Sequence, residues 1–276
     1  MPDFVCPVCR SVLHRGEKSF TCENGHNFDI SRYGYVNLLM SSSSGKRHGD
    51  DRLMVRARRA FLDKGYYDRL SELISGLVLE LAPNGADIID AGCGECKYTY
   101  GILKKLTENG KQADIAGIDI SKDALIYGSK RSDKIKLAVA SSRKLPFGDG
   151  SADIVLSIFA PFEADEFSRV LKDGGCVIRA YPLERHLWEL KSLIYDEPYE
   201  NTVSDMEESG FEIKNRWELK YEIEPDSAED VENLFKMTPY YYKTGENDQK
   251  KLENITCLKT AVEFGVIVYV KKEAEK

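Results

Sequence analysis

Residues Ile88-Ile89-Asp90-Ala91-Gly92-Cys93-Gly94-Glu95 constrain this chain more than any other stretch. An apolar run that stops at an acid and turns through Gly-x-Gly is how a parallel strand passes into a helix, and it leaves bare backbone where a small molecule can lie. A second apolar run, Ala116-Gly117-Ile118-Asp119-Ile120, ends on another acid. Asp119 falls about where an acid binding both ribose hydroxyls is expected, roughly 20 residues after such a turn.

The stretch differs from a dinucleotide site. A pyrophosphate cradle needs a third glycine and a free helix N-terminus. Here there is no G-x-G-x-x-G, and the carboxylate of Asp90 stands at the mouth of the turn, where it would repel phosphate. The same carboxylate suits the cationic amino-acid end of S-adenosylmethionine. Downstream, Ala138-Val139-Ala140-Ser141-Ser142-Arg143-Lys144-Leu145-Pro146-Phe147 is placed to flank the adenine. The plainer alternative is a strand-turn-helix with a tight glycine. Two acids in register after two apolar runs favour the cofactor site.

A chain of 276 residues can bury a substantial core, and one large domain with a small appendage is the natural expectation. No apolar stretch approaches membrane-spanning length, and Met1-Pro2-Asp3-Phe4 lacks the basic and then hydrophobic pattern of a signal segment, so a cytoplasmic location is expected. The net charge of -7 argues at first against a polyanionic partner. Residues 1 to 70, however, hold 12 Lys and Arg against 8 Asp and Glu, so the charge is polarised along the chain. Phosphate contacts come from Lys and Arg whatever the global balance, so a nucleic acid would meet the N-terminal part first. A solvated basic face accounts equally well for the charge alone.

Seven cysteines in such a chain do not suggest a disulfide framework. Cys6-Pro7-Val8-Cys9 and Cys22-Glu23-Asn24-Gly25-His26 give C-x2-C-x12-C-x3-H within a module of residues 1–38. Each pair brings two ligands onto one tight turn, and the two turns can close a tetrahedron around Zn2+. Four protein ligands leave no open position, so the site reads as structural, and a segment too short for its own core would need the metal to fold. A redox Cys-x-x-Cys would need a thioredoxin-like strand and helix. His14 is an alternative fourth ligand with a poorer spacing.

Residues 39–51, with Ser41-Ser42-Ser43-Ser44-Gly45-Lys46-Arg47-His48-Gly49, read as a mobile linker whose Lys46 and Arg47 are candidate phosphate contacts. From Arg52 to Leu81 the pattern is helical, with a break at Gly65. Arg52, Arg56 and Arg59 recur at helical spacing, and five arginines between Arg52 and Arg69 suit RNA backbone contacts. From residue 86 strands and helices alternate, and Phe211–Glu222 and Val262–Lys271 add two long strands. The expected fold is α/β: a class I, Rossmann-like methyltransferase domain over 52–276 with a seven-stranded, mostly parallel sheet.

Several motifs recur together in one known family. They are the C-x2-C-x12-C-x3-H start, Gly34-Tyr35-Val36-Asn37-Leu38-Leu39 and Ala57-Arg58-Arg59-Ala60-Phe61-Leu62-Asp63-Lys64-Gly65-Tyr66-Tyr67. Further along come Asp90–Glu95, Ala140–Phe147, Arg185-His186-Leu187-Trp188-Glu189-Leu190-Lys191 and Met237-Thr238-Pro239. The whole chain resembles the bacterial 23S rRNA (guanine-N1-)-methyltransferases of the RlmA type. The resemblance implies zinc on Cys6, Cys9, Cys22 and His26, and cofactor contacts from Tyr67, from the loop at Gly94 and Glu95, and from His186. With Asp90, Gly92, Cys96, Asp119, Ile120 and Ser141 these make up the expected cofactor site. It also implies a 23S rRNA hairpin as partner and suggests a homodimer; members differ in the guanine chosen, with consequences for macrolide resistance. One departure stands out: where the family commonly has a glycine, this chain has Cys96, which reads as a packed small residue.

The implied reaction is in-line methyl transfer to guanine N1, which carries a proton that must leave. Glu163, Asp165 and Glu166 are candidates to take it, although acids in a first helical turn commonly serve the helix dipole. Phe159 and Phe162 are candidates to stack on a flipped or loop guanine, with core packing the expectation for Phe159. A methyltransferase acting on a small molecule is the alternative; it would explain the cofactor loop but not the zinc module or the arginines.

Overall fold

A computed structural model describes residues 3–40, 49–203 and 206–272. The N-terminal module is a three-stranded antiparallel sheet of β1 (His14–Arg15), β2 (Ser19–Thr21) and β3 (Asn27–Asp29). Next come β4 (Val36–Asn37), α1 (Arg52–Asp63) and α2 (Asp68–Leu81). Asp51 caps α1 by accepting from the Met54 amide at 2.9 Å, and Gly65, at φ +85°, makes the turn that ends it.

The main domain alternates β5 (Ala86–Ala91), α3 (Lys97–Glu108), β6 (Ala113–Asp119), α4 (Lys122–Gly128), β7 (Ile135–Val139), β8 (Ala152–Ile158), α5 (Ala164–Val170) and β9 (Leu171–Pro182). It closes with α6 (Trp188–Ile194), β10 (Phe211–Ile223), α7 (Ala228–Lys236), α8 (Tyr240–Lys243), α9 (Glu246–Lys250) and β11 (Thr260–Lys271). The sheet order is β10-β11-β9-β8-β5-β6-β7-β4, with β11 antiparallel to both its neighbours and the rest parallel.

The pleat divides the core in two. Ile88 belongs to one apolar cluster, while Ile89 and Ala91 belong to the other, across the sheet. Strands buried on both faces read as continuous apolar runs, which is why β5 was legible. The strand order reverses between β6 and β8 on either side of β5, and the crevice outside the carboxyl ends at such a point is where ligands bind.

Besides the seven expected strands the sheet has an eighth. Val36 and Asn37 pair in parallel with Ala138 and Val139. The run Tyr35–Leu39 buries Val36 and Leu38 in the same cluster as Phe4, Phe20, Ala140 and Phe147, so the end of the N-terminal module is also the edge of the main sheet. Among the described residues no helix is long and apolar enough to cross a membrane.

Candidate functional site

The four zinc ligands come together. The ligand atoms of Cys6, Cys9, Cys22 and His26 lie within 4.8 Å of one another. The Cys9 and Cys22 sulfurs are 3.7 Å apart, and His26 Nδ1 is 3.4 Å from Cys22 Sγ and 3.6 Å from Cys6 Sγ. A tetrahedron with Zn–S bonds of about 2.3 Å and a Zn–N bond of about 2.0 Å demands separations of about 3.5–3.8 Å. The residues therefore fit zinc with His26, through Nδ1, as the fourth ligand. His14 lies exposed in β1.

At the carboxyl ends of β5, β6 and β8 opens a cavity of about 1100 Å³. Tyr67, Asp90, Gly92, Gly94, Glu95, Asp119, Ile120, Ser141 and His186 all line it; Cys96 does not. Asp90 is 1% exposed. Its Oδ2 accepts from the Thr99 hydroxyl at 2.5 Å, while Oδ1 is buried without a partner. Burial pushes its carboxyl up to about 7. An unpartnered carboxylate oxygen facing a cavity is a place for a cation, which fits the amino group of S-adenosylmethionine.

Asp119 is aimed by its neighbours. Gly94 N–H donates to Oδ2 at 2.9 Å and Ser121 N–H to Oδ1 at 2.7 Å. Each oxygen keeps a lone pair for a hydroxyl, so the pair fits a ribose diol. Gly92 sits at φ +100°, and a Cβ there would come 2.6 Å from that of Ala160. The loop is thus bare by necessity, because it passes against the segment that follows β8.

Glu95 lines the cavity only in part: its carboxylate is buried in an ion pair with Arg131, which also bonds Asp63 at 2.7 Å. Cys96 opens α3 from the left-handed region at φ 63°, with its side chain turned away from the cavity against Gly128. The packing reading of this cysteine matches that placement, and the backbone strain of on the order of 1 kcal/mol accompanies it.

His186 is buried and neutral. Its Nδ1 accepts from the Glu263 amide at 3.1 Å, so the proton is on Nε2, 3.4 Å from the Tyr67 hydroxyl. Burial lowers its pKa to about 3, so it cannot act as a base at neutral pH. With Nδ1 occupied, Nε2–H is left to face the Tyr67 hydroxyl on the cavity wall.

Other expectations fare differently. Arg52 and Arg56 are exposed on α1, and among the described residues neither has an ion pair. Arg59 is taken up by the fold: it donates to the Tyr127 carbonyl at 2.9 Å, lies over the Tyr127 ring and pairs with Asp63. Lys46 and Arg47 lie outside the described residues. Phe162, not Phe159, is the one packed against the core: half-buried, it lies on Phe167, Phe211 and Tyr269. Phe159 is 45% exposed on the cavity wall.

Sequence reasoning missed Lys191, Arg58 and Arg179. Lys191 is fully buried and bonds the Tyr199 carbonyl at 2.9 Å and Asn201 Oδ1 at 2.7 Å, which fixes a wall of the cavity. Arg58 pairs with Asp50 above the Gly94 turn, and Arg179 with Glu208 beside Phe162. Only Arg58 carried a local signal, as part of the arginine cluster.

Two outcomes are expected. Replacing Asp90 by Asn lowers affinity for S-adenosylmethionine by on the order of 10- to 100-fold while raising the melting temperature of the free protein, since the ionised group is costly to bury. Because that pKa is raised above its unfolded value, wild-type stability is lost as pH rises from about 4 to 7. Cofactor affinity instead falls as pH drops below about 7; calorimetry across pH 5.5 to 8 checks both signs. Second, a Cβ at Gly128 would sit 2.7 Å from Cys96 Sγ. Gly128→Ala is expected to destabilise by about 1–3 kcal/mol, and adding Cys96→Gly should recover part of it in denaturant melts.

Comparison with known proteins agrees with this geometry. A family described as "RlmA, N-terminal" matches residues 4–42, and one described as "Methyltransferase domain" matches residues 88–175. YxjB of Bacillus subtilis (strain 168), classed by name among the 23S rRNA (guanine-N(1)-)-methyltransferases, is 31% identical over 97% of this chain and 97% of its own length. The 23S rRNA (guanine(748)-N(1))-methyltransferase of Streptomyces fradiae is 36% identical over 67% of this chain and 65% of its own length. With a zinc ribbon built on three cysteines and one histidine, and a class I domain that takes S-adenosylmethionine, the chain belongs to the RlmA-type 23S rRNA (guanine-N1-)-methyltransferase family.

Proposed function

We propose that this chain methylates N1 of a guanine in a 23S rRNA hairpin, with the base lifted out of its stack to enter the cavity. The observation that carries this reading is the cavity wall that follows β8, where Phe159 and Glu163 line the same space as Asp90 and Asp119. Phe159 holds φ 54°, costly for a bulky residue, and keeps its ring exposed between Tyr98 and Phe264. An aromatic face held there is a platform for a purine.

Of the three acids at the start of α5, Glu163 alone lines the cavity. Glu166 accepts from the Leu145 amide at 2.7 Å and pairs with Arg169, and Asp165 is exposed. Among the described residues Glu163 pairs with Arg143, 3.5 Å away and 83% exposed, so the pair is weak. Guanine presents N1–H beside an N2 amine, two donors that one carboxylate can accept together. Adenine has no N1 proton to offer, so the pairing selects guanine and sets the proton to be lost against the group that takes it.

Bound S-adenosylmethionine supplies the electrophilic methyl group. The protein's own part is positioning: Asp90 holds the amino-acid end of the cofactor and Asp119 its ribose, Phe159 orients the base, and Glu163 receives the N1 proton. Arg52, Arg56, Lys46 and Arg47 would contact rRNA phosphates, and the zinc module of residues 1–38 would take part in recognising the rRNA. A cytoplasmic location and a homodimer accompany the reading.

Incubating zinc-loaded protein with labelled S-adenosylmethionine and unmodified 23S rRNA should give one primer-extension stop at a hairpin guanine, since N1 methylation blocks Watson-Crick pairing. Incorporation into neither free rRNA nor ribosomal subunits would abandon rRNA in favour of a small-molecule acceptor. Glu163→Gln should lower kcat by about a hundredfold or more with the cofactor KM little changed. Phe159→Ala should chiefly raise the KM for rRNA.

A further inference from the structure

We propose that Arg10, on the zinc knuckle, is a positioning residue for the cofactor, so that the zinc module shapes the methyl-donor site as well as any RNA surface. The inference rests on the cofactor cavity and is independent of the acceptor.

Arg10 follows the ligand Cys9 and holds φ 65°, with its amide bonded to the Cys6 carbonyl at 2.8 Å. A long side chain in the left-handed region is costly, and here the knuckle imposes it. The result is that the guanidinium reaches out of the module. Nη1 donates to the Leu145 carbonyl at 3.3 Å and Nη2 to the Phe147 carbonyl at 3.1 Å. Arg169 of α5 donates to the same two carbonyls, at 3.2 and 2.9 Å. A carbonyl oxygen has two lone pairs, so both guanidiniums can be accepted and the segment is gripped from two sides. Val5 adds an amide bond to the Pro146 carbonyl at 2.8 Å, and the Phe4 and Phe147 ring centroids are 5.4 Å apart.

The other end of the same loop is held by β4. Val36 and Asn37 pair with Ala138 and Val139, and Leu38 N–H donates to the Val139 carbonyl at 2.9 Å. Between these two fastenings lie Ala140, Ser141, Ser142 and Arg143, all on the cavity wall. A short loop tied at both ends by the N-terminal segment has little freedom left to lose when a ligand binds against it. Releasing the Arg10 end returns that freedom to the free protein and weakens binding. Zinc enters because a module this small loses its shape without metal, and with it the backbone conformation that aims Arg10.

The test is Arg10→Ala in the full chain, with one zinc per chain confirmed by atomic emission and S-adenosylmethionine binding measured by calorimetry without RNA. The expected result is a rise in Kd of about tenfold, comparable to one charge-assisted hydrogen bond. Amide exchange across 140–147 should quicken, and the cofactor KM should rise while kcat at saturation holds. Arg10→Lys, able to reach one carbonyl, should fall between, and Lys18→Ala, exposed on the same module, should leave Kd unchanged. Chelation should weaken binding and added zinc restore it. An unchanged Kd and unchanged exchange in zinc-bound Arg10→Ala overturn the proposal; if that variant does not fold, the same two readings on Arg10→Lys decide it.

Discussion

The register between β5 and β6 is the constraint on which the rest of the site depends. Parallel pairing sets Asp90 opposite Gly117 and Ala91 opposite Ile118, and the Gly92 and Cys93 amides both close on the Ile118 carbonyl. The chain must then leave the sheet through residues that tolerate positive φ, and it brings the Gly94 amide to Asp119. One acid is thereby buried with an oxygen unpartnered, and the other is pinned by two backbone amides. A one-residue slip of either strand in that register would turn its carboxylate to the wrong face and part the two acids.

Around this centre the protein gives up stability for function. Asp90 is buried with one oxygen unpartnered, Phe159 and Cys96 hold left-handed backbone, and Lys191 lies wholly inside the protein on two oxygen partners. Each is costly in isolation, and each is held by its surroundings: Thr99 for Asp90, Gly128 for Cys96, the Ala180 carbonyl for the Phe159 amide. Strain of this kind concentrates where geometry matters more than stability.

The N-terminal segment is part of the same construction. Its last residues are a strand of the main sheet, its aromatics share an apolar cluster with Ala140 and Phe147, and Arg10 and Arg169 meet on one pair of carbonyls. Arg169 and Glu166 belong to the helix that begins after Glu163. Zinc knuckle, α5 and the loop after β7 therefore meet at residues 145–147.

The sequence by itself determined whatever depends on neighbours along the chain. Metal-ligand spacing, the strand-acid-glycine turn, the second acid and the buried parallel strands are local patterns, and the zinc cluster, the turn and acids on the cavity wall and seven strands of the sheet followed from them. Tertiary structure alone decided which of several equivalent side chains is free to act. Arg52 and Arg59 look alike in sequence, yet Tyr127, 68 residues from Arg59, occupies the latter. Phe159 and Phe162 are three apart; the aromatic rings of Phe167, Phe211 and Tyr269 pack against one, and the other is left on the cavity. Glu163 stands apart from Glu166 because Arg169 and the Leu145 amide claim the latter. The reason is physical: local pattern sets backbone conformation and the facing of a stripe, whereas the availability of a charge or ring is set by partners that only folding brings within reach.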